Sequence, residues 1–178
     1  MTSVTPEPPA AGALAVAPSR RGLRVTAYVV VVAVLLGVVG WVSTHPDSLP
    51  TSSSRVRAST PVGEPVFIGV FAATAGFDRS LHISGVRVFA TSTNEVTITP
   101  HVCSGGSINV TTTPDAFCST FGPTEGATFD PGDAIVLEVV GDAPGVVAVD
   151  RVRIAYRDGL QWGTQDAGSP AQVTVLPR

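Results

Sequence analysis

The sequence contains no lysine: all 11 of its basic residues are arginine, set against 14 acidic ones for a formal net charge of −3. No basic run follows residue 24, so the footprint of phosphate neutralisation is missing and nucleic acid is not an expected partner. Histidine is scarce. His45, His82 and His101 are too few and too scattered for metal-ligand spacing, and no metal or other cofactor is expected. There is no phosphate loop, no dinucleotide fingerprint and no G-x-S-x-G elbow. "CSGGS" around Ser104 and Ser107, near His101, offers a serine without the strand-turn-helix setting that would activate it, so no enzyme is expected. Beyond residue 45 no stretch keeps a helical period, which removes the all-α and α/β classes.

One long apolar run is present. Between Arg24 and His45 lie 20 uncharged residues, which as a helix reach roughly 30 Å, the thickness of a hydrocarbon core. Tyr28 and Trp41 stand near its two ends, where amphipathic rings favour the headgroup zone. Arg20, Arg21 and Arg24 flank its start, whereas the first arginine beyond it is Arg55. The positive-inside rule therefore places the N-terminus in the cytoplasm and residues 45–178 outside. A basic segment before an apolar run also begins a cleaved signal, and Ser19-Arg20-Arg21-Gly22-Leu23 resembles a twin-arginine export address. The run is long for a signal and no A-x-A site follows it, so the expectation is an uncleaved single-pass anchor in the cell membrane. Ala33 and Gly37 keep a small-xxx-small spacing, which an Ala/Gly-rich chain also produces by chance.

Four regions follow. Residues 1–24 form a cytoplasmic tail whose Pro/Ala-rich start is too poor in apolar surface to offset ordering entropy, and it is expected to be disordered. Residues 25–44 are the transmembrane helix. Residues 45–64 are rich in Ser, Thr and Pro and read as a stalk. Residues 65–178 carry short apolar runs split by turn residues.

In that last region Val66–Ala72 is an expected strand, and Leu81/Ile83 and Val86/Val88 lie in opposite phases that a bulge at Ser84-Gly85 would reconcile. Val96, Ile98 and Val102 share a face, with Pro100 marking an edge or a break. Ile108 and Val110 share another. Pro131-Gly132 suits the centre of a type II turn before inward-facing Ile135, Leu137 and Val139. Val152, Ile154 and Tyr156 alternate with Arg151, Arg153 and Arg157, and "AQVTVLP" closes the chain. Seven or eight short strands with turns between them predict an all-β, antiparallel β-sandwich ectodomain. Through "DPGDAIVLEV" and "VRIAYRDG" it resembles bacterial immunoglobulin-like ectodomains in architecture. It lacks their Cys…Trp…Cys spacing.

Cys103 and Cys118 fall outside the cytoplasm on this topology and are expected to form a disulfide. Asp130, Asp133 and Asp142 resemble a calcium cluster, yet aspartate is also the ordinary residue of turns. "YRDGLQWGTQDAGSP" reads as a long loop between the last two strands, bringing Leu160, Gln161, Trp162, Thr164 and Gln165 to one end of the sandwich. There they would bind a partner, or Trp162 would fold back to plug the core. Arg151, Arg153 and Arg157 would line an outer face, paired to Asp or Glu across strands or attracting anionic polymers or lipid headgroups. The expected function is a binding module of the bacterial envelope with an envelope protein or polymer as partner; a tethered small hydrolase and a ligand carrier are the alternatives.

Overall fold

The computed structural model describes residues 20–73 and 76–178; for residues 20–24 and 44 it describes the backbone alone. The expected disordered tail and the side chains of Arg20, Arg21 and Arg24 therefore lie outside the described residues. The chain divides into two units, with the boundary after Gly40.

A single helix, α1 (Arg20–Thr44), carries the apolar run, and Val25–Ser43 is long and apolar enough to cross a membrane. It is apolar on every side, and its large side chains are exposed, Tyr28 at 74% and Trp41 at 67%. Such a helix needs an apolar surrounding, not one apolar partner. At its end the His45 ring stacks on Trp41, and Nδ1 donates to the Trp41 carbonyl at 2.9 Å, capping a terminal acceptor.

Among the described residues beyond it are thirteen strands and one 3-10 turn (Pro114–Ala116): β1 (Val56–Pro61), β2 (Val66–Ala72), β3 (Leu81–Arg87), β4 (Ala90–Ser92), β5 (Val96–Ser104), β6 (Val110–Thr111), β7 (Thr120–Pro123), β8 (Thr128–Phe129), β9 (Ala134–Gly141), β10 (Gly145–Val149), β11 (Val152–Asp158), β12 (Gln161–Ala167) and β13 (Ala171–Leu176). They build three sheets, ordered β6-β2-β9-β5-β7, β12-β11-β3-β8 and β1-β13-β10-β4. Every pairing is antiparallel except β1 with β13 and the isolated bridge Thr51–Gly168. Three strands of each of the last two sheets are continuous with one another: β12 runs on into β13, β10 into β11, and β3 into β4, while β8 and β1 belong to one sheet each. Short breaks at Gly168–Pro170, Asp150-Arg151 and Val88-Phe89 separate the partners.

The breaks have local causes. Pro170 has no donor for a ladder. Gly168 sits at φ 74° with Val70 O where a Cβ would stand, 2.0 Å away. That approach lets Ser169 N donate to the Val70 carbonyl at 2.7 Å, tying the bend to the five-stranded sheet. Only glycine fits there.

One core is common to all three sheets. Ile68 and Leu137, Ile83 and Ile154, and Val147 and Val173 are all buried in it, with Phe71, Phe77 and Phe129 stacked edge and face at 5.3 to 6.1 Å. A second cluster lies on the other face of the five-stranded sheet: Phe67, Ala134 and Val136 beneath Cys103 and Ile108. β9 is thus buried on both sides, more than the single inward face of Ile135, Leu137 and Val139 expected of it. Val110 does not share the burial of Ile108; it is 39% exposed, and only residues 110–111 pair there.

Several local expectations hold. β3 carries its bulge, with Ala155 opposite Gly85 and Tyr156 opposite Ile83, so Ser84 is the extra residue. Asp133 N donates to Asp130 O at 3.0 Å across Pro131-Gly132. β5 is an edge up to Pro100, since β7 covers only His101–Ser104.

The expected stalk needs correcting. Leu49 is buried in the common core, and Ser52 N and Gly168 N donate to Gly168 O and Pro50 O, both at 2.9 Å. Residues 56–61 then enter a sheet as β1 beside β13. Ser and Thr read as spacer composition, but Thr also suits a pleated strand, and in β1 the one fully buried side chain is Thr60.

Candidate functional site

The segment after Tyr156 is a β-hairpin, not a long loop. Asp158 pairs with Gln161 across Gly159-Leu160, and the pairing continues to Val152 with Ala167. Trp162 does not plug the core; it is 70% exposed, and Leu160 at the tip is 85% exposed. β12 is an edge strand whose inward positions are mostly polar or glycine, which hid it from the apolar alternation. Its inward glutamine is used structurally. Gln165 Oε1 accepts from Leu49 N at 2.7 Å and its Nε2 donates to Pro46 O at 3.3 Å. Of the five residues expected to bind a partner, Gln161 and Gln165 lie on the inward positions of β12, while Trp162 and Thr164 alternate outward.

Register now builds the outward face of β12-β11-β3. One row runs Asp166, Arg153, Arg87; the next runs Thr164, Ala155, Gly85; the third runs Trp162, Arg157, His82. Small side chains floor the middle, and the rows containing Arg153 and Arg157 stand about 13 Å apart along β11. Beyond the first row, at the break between sheets, a depression of about 510 Å³ is lined by Arg55, Phe89, Asp150, Arg151, Arg153, Asp166 and Pro170.

The charges there are unevenly matched. Arg153 forms a two-pronged pair with Asp166, Nε to Oδ1 at 2.7 Å and Nη2 to Oδ2 at 3.3 Å, and its guanidinium lies 5.3 Å over the Phe89 ring. The hydrogen bond to Asp166, then its charge, raises the Arg153 pKa; the same bond holds the Asp166 carboxyl below 3.8. Arg151 is turned away to Ser52 O at 3.1 and 3.2 Å. Arg55, Arg87 and Arg157 form no ion pair among the described residues, and Arg87 stands directly opposite Arg153, a like-charge pairing that costs stability. Thus the arginine stripe is paired across strands at Arg153 only.

Asp166 gives a pH test. Its folded pKa is depressed, so its contribution is present above 3.8 and is lost as pH falls through the lowered value. In a carboxyl NMR titration Asp166 should titrate below 3.8 in the wild type and move up in Arg153→Ala. An unmoved midpoint would mean the pair does not form in solution.

Cys103 and Cys118 are bridged, with Cα atoms 5.2 Å apart, and the loop they close covers the second cluster. Other residues weighed from the sequence do not converge. His101 Nε2 meets Glu138 Oε2 at 2.9 Å and its ring stacks on Phe121, whereas His82 lies in another sheet. Ser104, three positions along an extended strand, falls on the face opposite His101. Asp130 accepts from Ser80 Oγ, and Asp133 accepts from Gly105 N and Asp130 N. Among the described residues no three His, Cys, Asp or Glu side chains are grouped to hold a metal.

Sequence reasoning missed Arg55, Arg87 and Phe89. All three are far in sequence from Arg153, and only the β3–β11 register and the bend bring them to it. Comparison with protein-family models, curated proteins and solved structures finds no match to this chain.

Proposed function

We infer that this chain is a single-pass envelope protein of a bacterial cell, with its N-terminus in the cytoplasm and its β domain displayed outside as an immunoglobulin-like sandwich. The domain acts as a binding module for an envelope protein or polymer that carries acidic groups. The observation that carries this reading is the pairing of Arg87 with Arg153 on an exposed strand pair, with Asp166 as the only carboxylate bonded to either among the described residues. A sheet face holding like charges in register is stabilised when an anion comes to lie on it. Phe89, 40% exposed beside Arg153, adds apolar area at the same place.

The test is retention of the full-length protein, in detergent micelles, on immobilised polygalacturonate and on immobilised poly-glutamate. Two exposed charge-assisted contacts, discounted for screening, are worth about 1.4 kcal/mol together, so Arg55→Ala/Arg87→Ala should weaken retention about tenfold. Retention equal to wild type on both supports removes this face from consideration.

A further inference from the structure

The most exposed apolar side chains of the β domain sit together at the β11–β12 tip, Leu160 and Trp162. Arg157 is paired with Trp162 in register, and the nearby Asp158 carboxylate is met by Arg79 at 3.5 Å. The tip therefore offers a leucine, an indole and an uncompensated guanidinium. Side chains of this kind favour the boundary between water and lipid, where rings sit at headgroup level and arginine reaches phosphate.

The chain shows what lies beside that tip. Residues 46–49 are clamped along β12. Gln165 holds Pro46 O and Leu49 N, Arg79 Nη1 and the Tyr156 hydroxyl both donate to Asp47 O, and the Pro46 ring lies 2.8 Å from where a Cβ on Gly163 would stand. Thr44 is the last helical residue and Ser43 the last of the apolar span. Pro46 is three positions beyond Ser43, a reach of at most about 11 Å, so it cannot stand far from the end of that span. Gly163 is three strand positions from Leu160, about 10 Å.

We propose that the β11–β12 tip is a second membrane contact, with Leu160 and Trp162 entering the lipid interface on the side where α1 emerges and Arg157 meeting headgroup phosphates. The proposal rests on the reading that α1 spans the bilayer. It replaces a domain held away on a stalk by one seated on the lipid surface.

The chain has two tryptophans, Trp41 and Trp162, so each can be read alone. Full-length Trp41→Phe, reporting Trp162, and Trp162→Phe, reporting Trp41, are reconstituted in phosphatidylcholine vesicles containing lipid brominated at a shallow acyl position. Trp162 emission should fall by more than half and resist aqueous acrylamide, and Leu160→Asp in the Trp41→Phe background should halve the bromine quenching. If Trp41 is quenched while Trp162 is open to acrylamide and untouched by bromine, the tip contact is overturned and the span stands. If neither tryptophan is quenched, the spanning reading fails and the tip contact fails with it.

Discussion

A chain shortened to residues 65–178 should lose at least about 4 kcal/mol of stability or fail to fold, whereas residues 45–178 should unfold cooperatively. The shorter boundary is the one that composition suggests. It removes Leu49 from the common core, where truncating a buried leucine alone costs about 2–5 kcal/mol. It also removes β1 and its six pairings with β13, together with Val56 N to Pro170 O and Val62 N to Leu176 O, both at 3.0 Å. What remains is β13 as a bare edge rich in valine, a template for pairing with another chain, over a core missing part of its cover. Against a typical margin of 5–15 kcal/mol, this decides between a folded and an aggregating product. Urea unfolding of the two shortened proteins, with Leu49→Ala in the longer one as the graded case, measures it. Equal midpoints for 45–178 and 65–178 would show that residues 45–64 are a spacer after all.

What was legible in the chain was whatever depends on neighbours in sequence. The apolar helix, the alternation in β5 and β11, the Pro131-Gly132 turn and the bulge at Ser84 each follow from a few adjacent residues. β1 and β12 were not legible, because β1 turns only Val56, Ala58 and Thr60 inward from a Ser/Thr/Pro-rich stretch and β12 turns in Gln161, Gly163, Gln165 and Ala167. Such residues become strands only through partners, β13 and β11, that the local pattern does not name. The same limit applies to the candidate site. Arg151, Arg153 and Arg157 are visible as a stripe, but Arg87 joins them only through the register of β3 on β11, and Arg55 only through the docking of residues that composition marks as spacer. For Trp162 the local signal was real, an aromatic among polar residues. Its exposure depended on whether the segment looped back or paired, which sequence separation alone does not decide.

The second large effect concerns the covered face of the five-stranded sheet. Cys103→Ala/Cys118→Ala should lower stability by about 3 kcal/mol, the chain-entropy value for a 15-residue separation. Alanine is chosen because Cys103 is fully buried and a serine hydroxyl there would add a cost of its own. The loss should have a structural signature. Residues 104–117 cover Phe67, Ala134 and Val136 by pressing Ile108 onto them, so a loosened loop should bind a fluorescent apolar dye. Gly69 reports the same closure from below. A Cβ there would stand 1.7 Å from the Ile108 carbonyl oxygen, and Gly69 N donates to Asn109 O at 3.0 Å. Gly69→Ala must therefore lift the loop, and in the bridged protein the loop is held at both ends and resists. Without the bridge it can rise, so Gly69→Ala should cost less in the cysteine-free background, with a coupling of about 1 kcal/mol or more. Strict additivity of the two changes would mean that the bridge does not hold the loop against the sheet, and the second core would need another explanation.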